Sequence, residues 1–335
     1  MTLHRRSFLA ALAGAGGVGM AAAARVPGVA PADALSQRPA VQAPALPMPP
    51  PLTAGSRLVA IAPGTWWEDP EPEQANLEAQ IGNAGWELLV PVATRQRWHW
   101  FSGTDRQRRQ AWEQAIAEQR AEGVLAVTAG WGSARLLESG WQPPPRPIWL
   151  MGFSDASALL LAQCAAGLGG AIHGGLHGDA GQWQRLVRLL RRQPVEPLQG
   201  QGWRSGIAEG PLVVTNLTVA THLIGTAWLP DLRGRIVVFE DVGEAPYRVD
   251  RMLTQWRTAG LLAGVAGIGL GRFQWTPDDV MPGDLSMEEV LQERFGDLGI
   301  PLVGRLPVGH GRPNLALPLG HRARLDGSAG TLTLL

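Results

Sequence analysis

Lysine is absent from this 335-residue chain, and cysteine occurs once, as Cys164. Without lysine there is no Ser-Lys dyad, no Schiff base to a carbonyl cofactor and no Walker A phosphate loop. A lone cysteine excludes an internal disulfide, a CxxC redox pair and a cysteine-rich zinc site. Neither sign of charge dominates: Lys+Arg and Asp+Glu both number 29, so the formal net charge is zero. No segment carries the basic excess that phosphate contacts require, which argues against nucleic acid as a partner. Charged residues make up 17% of the chain, below the ~25% usual in soluble domains. What is abundant is glycine, with 43 residues, and proline, with 27, a composition that implies many tight turns and short elements.

The amino terminus reads as an address. Arg5 and Arg6 precede Ser7-Phe8-Leu9 and a weakly apolar Ala/Gly run that ends in Ala22-Ala23-Ala24, a small-residue cleavage pattern. Residues 1–24 are therefore expected to be a signal peptide of the twin-arginine type, exporting an already folded protein to the periplasm. The run is too short and too poor in large apolar side chains for a stable membrane span. Gly14, Gly16 and Gly19 satisfy G-x-G-x-x-G, but no strand precedes them and no acidic residue follows on a second strand, so no dinucleotide site is expected. Residues 25–51, rich in Pro and Ala and without apolar period, are expected to be a linker.

From Leu52 onward, strand and helix signals alternate. Arg57 to Ala62, Trp86 to Val92, Val124 to Val127 and Ile148 to Gly152 are apolar runs of strand length. Between and after them, Glu71–Gly82, Arg106–Glu122, Ala156–Ala166 and Gln182–Arg192 carry helical spacing, with Thr104 and Asp105 as caps of the second. Residues 52–192 are thus predicted to form an α/β domain with a parallel, Rossmann-like sheet. Residues 193–210 read as an interdomain linker, rich in Pro, Gly and Gln. Residues 211–335 are expected to form a smaller α+β domain with strands at Arg235–Phe239 and Val265–Leu270, helices at Tyr247–Thr258 and Met287–Phe295, and a short-strand finish.

Three places carry candidate chemistry. In Met151-Gly152-Phe153-Ser154-Asp155-Ala156 a strand ends and a helix begins around a serine, which fits a nucleophile turn and equally a Ser helix cap. In Val127 to Leu137 a strand runs into Gly130-Trp131-Gly132, where backbone amides could approach an anion closely. The third place joins a strand end loaded with carboxylates, Glu240, Asp241 and Glu244, to a distant Gly309-His310-Gly311. His173 and His177 have a zinc-like spacing, but the glycines among them argue against a helix and no third ligand cluster is evident, so no metal is expected.

Taken in order, these pieces resemble the murein LD-carboxypeptidases and the related microcin-immunity serine peptidases. The likeness runs from the strand ending Ala62-Pro63, through Phe101-Ser102-Gly103-Thr104-Asp105, Gly130-Trp131-Gly132-Ser133, Gly152-Phe153-Ser154-Asp155 and His173-Gly174. It continues in Asn216-Leu217-Thr218, Gly225-Thr226, Glu240-Asp241-Val242-Gly243-Glu244, Gly309-His310-Gly311 and Leu317-Pro318-Leu319-Gly320. The resemblance implies a Ser-Glu-His triad of Ser154, Glu240 and His310 at the junction of the two domains. It also implies an oxyanion hole from the N–H groups of Asp155 and Gly130, and a substrate cleft near Trp131, Gly132 and His173. The activity implied is release of a terminal D-amino acid from peptidoglycan-derived peptides, by a homodimer and without any cofactor. Two alternatives stay open: a relative acting on another peptide or acyl-adenylate conjugate, and an exported binding protein that has lost catalysis. Two departures stand out: Thr128-Ala129 replace the Arg and Gly usual in the family's glycine turn, and Val214-Thr215 replace the glycine pair before Asn216.

Overall fold

The computed structural model describes residues 43–335 apart from 69, 118–120, 177 and 277–280. The signal-peptide segment and His177 lie outside the described residues.

The first half builds a six-stranded sheet. Strands β1 (Arg57–Ile61), β2 (Glu87–Leu89), β3 (Gly123–Ala126), β4 (Trp149–Gly152) and β5 (Ala171–His173) run parallel in the order β5-β4-β3-β1-β2. The helices between them are α1 (Pro70–Asn83), α2 (Asp105–Ala117), α3 (Ser133–Glu138) and α4 (Ser157–Ala165), and α5 (Ala180–Leu190) follows β5. Parallel strands covered on both faces must be apolar throughout, and β1, β3 and β4 are buried almost end to end. Helix α2 starts where the sequence places it. Thr104 Oγ1 accepts from the Gln107 N–H at 3.3 Å while Gln107 Oε1 accepts from the Thr104 N–H at 2.9 Å, a reciprocal capping box. Helix α4 has eight of its nine residues buried, as its Ala/Leu composition requires.

The second half builds an eight-stranded sheet, larger than expected and with a parallel centre, so it is α/β where an α+β arrangement was expected. Its strands β8 (Ile207–Asn216), β9 (Ile236–Val242), β10 (Gly267–Gln274) and β11 (Leu302–Gly304) are parallel. β13 (Arg322–Asp326) adds antiparallel to β8, and β14 (Thr331–Leu334) antiparallel to β13. Helices α6 (Leu217–His222), α7 (Pro246–Thr258) and α8 (Met287–Gly296) complete this half.

The expected interdomain linker is corrected, and so is the end of the first expected linker, whose residues 25–42 lie outside the described residues. Residues 193–210 form β6 (Leu198–Gln199), β7 (Gln201–Arg204) and the start of β8; β6 pairs with β14 and β7 with β11, so one stretch of chain edges both ends of the larger sheet. Residues 43–51 lie on the fold: the Leu46 N–H donates to Gly320 O at 3.1 Å, and Pro47 O and Pro50 O accept from the Gly169 N–H and Trp149 Nε1 at 3.0 and 2.8 Å. The reason is the same in both places. Segments without hydrophobic period can still be held by backbone hydrogen bonds to distant partners.

The two halves also share a strand. β12 (Leu317–Pro318), late in the chain, adds antiparallel to β5 at the edge of the first sheet. Among the described residues no helix is long and apolar enough to cross a membrane.

Candidate active site

Ser154 stands two residues past the end of β4 and has φ +58°, a left-handed backbone conformation that a non-glycine residue adopts only when its surroundings enforce it. The turn is enforced by close packing. A Cβ on Gly152 would lie 2.6 Å from the Ala156 Cβ, so only glycine lets the chain reverse there. Asp155 fixes the turn from the other side. Its buried carboxylate accepts the Gly132 and Ser133 N–H groups at 3.2 and 2.8 Å, capping α3 and tying the glycine turn to the serine turn. Burial pushes the Asp155 carboxyl upward, against the pull of those amides.

The glycine turn is held just as closely. Gly130 has φ +87°, and a Cβ there would lie 2.0 Å from Thr65 Oγ1, which itself accepts the Trp131 N–H at 3.1 Å. Trp131 projects outward and is 45% exposed, at the place where a cleft residue was expected.

His310 reaches Ser154 from the other half of the chain. Its Nε2 stands 3.1 Å from Ser154 Oγ, and its Nδ1 stands 2.7 Å from Glu240 Oε2. A carboxylate only accepts, so Nδ1 carries the proton and Nε2 is left to accept from the serine hydroxyl. The same Glu240 oxygen also accepts the His310 backbone N–H at 3.1 Å. Glu240, on β9, is fully buried. Burial opposes its charge, but His173 and His310 beside it outweigh that, and its carboxyl is held down at about 2. Gly309 lets the loop close on it: with φ +100°, a Cβ there would lie 2.7 Å from Glu240 Oε2.

The competing acids are occupied elsewhere. Asp241 accepts from Thr218 N and Oγ1 at 2.8 and 2.9 Å and from the Val242 N–H at 2.7 Å, capping α6, while Glu244 faces Arg248 at 3.8 Å. Burial, joined by the neighbouring Glu240 charge, raises the Asp241 carboxyl to about 6 although the Thr218 and Val242 hydrogen bonds oppose it.

One expected cleft residue is not in the cleft. His173 is fully buried, with its Nε2 3.7 Å from Glu240 Oε1 and its ring 5.3 Å from that of Phe153. The glycines around it argue against a helix, and at Gly174 the structure gives the reason: the Ala316 backbone packs where a Cβ would stand. Three supporting residues had no sequence signal at all. Asn314 Oδ1 accepts the Gly309 N–H at 2.9 Å, Gln182 Oε1 accepts the Asn314 N–H at 2.5 Å, and Arg272 donates to Pro313 O and Arg312 O.

A serine on a strained strand-to-helix turn, bonded to a histidine that a buried carboxylate orients, defines a serine hydrolase. The chain belongs to the LD-carboxypeptidase family: the family's N-terminal domain matches residues 58–174 and its C-terminal domain residues 209–325. Among its relatives, a Synechocystis protein that carries a carboxypeptidase name is 42% identical, over 86% of this chain and 97% of its own. The murein tetrapeptide carboxypeptidase of Pseudomonas aeruginosa is 34% identical, over 81% of this chain and 94% of its own. The crystal structure of muramoyltetrapeptide carboxypeptidase from Oxalobacter formigenes superposes with a TM-score of 0.69 at 28% identity, covering 82% of this chain and 98% of that one. An MccF-like protein from Bacillus anthracis shares the fold, with a TM-score of 0.73 at 19% identity, over 86% of this chain and 99% of that one.

Proposed function

We propose that this enzyme hydrolyses the L,D peptide bond of peptidoglycan stem tetrapeptides and releases the terminal D-Ala. The observation that carries the reading is the hydrogen-bonded line Ser154–His310–Glu240, formed by residues that lie far apart in the chain. Relatives whose names specify murein tetrapeptides supply the substrate class.

In this reading Ser154 Oγ attacks the carbonyl carbon of the third stem residue as its proton passes to His310 Nε2. Glu240, charged throughout at neutral pH, stabilises the imidazolium that forms. The developing oxyanion lies between the N–H groups of Asp155 and Gly130, an arrangement generally worth several kcal/mol (about 3 per donor). His310 then gives its proton to the departing D-Ala nitrogen. Water, activated by the same imidazole, cleaves the acyl-enzyme to tripeptide and free Ser154. The chemistry uses side chains and backbone amides of this chain. The exposed Trp131 beside the glycine turn is assigned to the substrate-binding wall.

The leader of residues 1–24 is proposed to send the folded protein to the periplasm by the twin-arginine route, and the working form is proposed to be a homodimer. The first domain is taken as Rossmann-like, and nucleic acid as no partner, on the neutral charge balance.

The test is a digest of three peptides: a stem tetrapeptide, its C-terminal amide and its all-L isomer. With no lysine in the chain, a substrate carboxylate must be met by arginine or backbone amides, and amidation leaves those donors unpaired. Chromatography should show D-Ala release from the first peptide and very little from the others. Equal release from acid and amide would defeat the carboxypeptidase reading.

A further inference from the structure

Two buried polar groups at this site face each other without touching. Glu240 Oε1 has no hydrogen-bond partner among the described residues, and neither ring nitrogen of His173 has one. Both side chains are fully buried, and Nε2 of the one stands 3.7 Å from Oε1 of the other. A buried carboxylate oxygen without a donor, beside a buried imidazole without an acceptor, is a costly arrangement that a shift of a few tenths of an ångström would end.

The backbone aims the imidazole at this spot. His173 closes β5, in register with Gly152 on β4 and Leu317 on β12. The Gly174 N–H donates to Gly152 O at 2.9 Å. Strands from both halves of the chain therefore fix its Cα, and the Phe153 ring packs edge-on against the imidazole at 76°. The same Phe153 ring lies 4.4 Å from the His310 ring, so one aromatic side chain spaces both histidines around one carboxylate.

We infer that His173 is a positioning residue: its Nε2–H donates to Glu240 Oε1, fixing the plane of the carboxylate so that Oε2 presents a lone pair to His310 Nδ1. Glu240 then sits between two imidazoles, one per oxygen. His310 cycles its proton, while His173 keeps its own and prevents the carboxylate from rotating when the imidazolium forms. This deepens the proposed function and rests on it for the roles of Ser154 and His310. Of the ionisable groups, Glu240 on β9 faces His173 directly at 3.7 Å, and His310, in the loop after β11, stands on the other side of the Phe153 ring.

The experiment follows the rate at which a fluorophosphonate labels Ser154, as a function of pH, in the full chain. The variants are His173→Gln, His173→Asn and His173→Leu, with thermal melts to confirm folding. Glutamine places an amide N–H close to the position of Nε2, asparagine ends short of it, and leucine offers no donor. His173→Leu and His173→Asn should label roughly tenfold more slowly, the loss expected for one hydrogen bond to a charged group. Their acid limb should move to higher pH, because a carboxylate relieved of one donor attracts the His310 proton more strongly. His173→Gln should stay within about threefold of the parent, since it keeps the donor. A His173→Asn or His173→Leu variant with the parent's rate and acid limb would overturn the inference, as would a His173→Gln variant as slow as His173→Asn. If leucine does not fold, the Gln–Asn pair decides alone. Labelling of Ser154 is independent of the peptide substrate: a parent protein that is never labelled would refute the serine-hydrolase roles, whereas a labelled parent insensitive at His173 would refute only this inference.

Discussion

The backbone N–H of Asn314 donates to Gln182 Oε1 at 2.5 Å, and through that bond a helix of the first half holds the loop that carries His310 in the second. Asn314 passes the restraint on, since its own Oδ1 accepts the Gly309 N–H at 2.9 Å. The base is thus held by the domain it serves.

Gln182→Ala should therefore lower kcat by roughly tenfold, the equivalent of about 1.4 kcal/mol, one hydrogen bond's worth of positioning. KM should change little, because Gln182 reaches the site only through the His310 loop, while the melting temperature should fall modestly, since the buried Asn314 N–H loses its acceptor. Steady-state kinetics on a stem tetrapeptide would show the split. A pure KM effect would move Gln182 from holding the base to binding substrate.

Ser154→Ala and His310→Ala should each remove nearly all turnover, and the double variant should be scarcely worse than either, because the two act as one unit. Glu240→Gln should cost less, since the imidazole would keep its place but lose the charge that stabilises its protonated form. Retention of more than about a tenth of the parent kcat in Ser154→Ala would contradict the assignment.

Asp241 gives a pH signature in stability. Its carboxyl is raised to about 6 in the fold, against ~3.9 in an unfolded chain. Between those values the folded state binds more protons than the unfolded state. The parent therefore loses stability as pH rises from about 4 to about 6, and by up to about 3 kcal/mol overall. Asp241→Asn does not titrate. The lost acceptor for Thr218 sets a constant offset between the two proteins, but their difference should shift toward the variant by that amount from pH 4 to pH 8. Urea melts across this range measure it, and parallel curves would show that Asp241 does not titrate there.

Replacing Arg5 and Arg6 by lysine keeps the charge but loses the guanidinium donor geometry. Fractionation should then find the double variant in the cytoplasm, with a reporter on the same leader also retained. Periplasmic delivery of the lysine form would argue for a different export route.

How much of this was readable beforehand differs by element. The start of helix α2 is marked by Thr104 and the polar–apolar spacing that follows, both local signals, whereas its end comes at Ala117, short of the expected Glu122. Ser154, Glu240 and His310 were readable only from the order of many weak motifs, since each alone has an ordinary structural explanation. β6 and β7 were not readable. They have two and four residues, their sequence lacks an alternating pattern, and their partners in β14 and β11 lie about a hundred or more residues further along the chain. His173 was misplaced for a similar reason. β12 pairs with the strand that His173 closes, the imidazole meets Phe153 and Glu240, and nothing adjacent in sequence announces these contacts.

β12 brings an order of events into the life of the molecule. The strand that completes the edge of the nucleophile's sheet, and that registers Leu317 opposite His173, leaves the ribosome long after the nucleophile itself. A nascent chain can carry Ser154 for more than 150 residues of further synthesis before that edge is covered. A hydrolase assembled this way stays unfinished until synthesis has passed Leu317, so a truncated chain ending before that residue would be an inert product and not a partly active one.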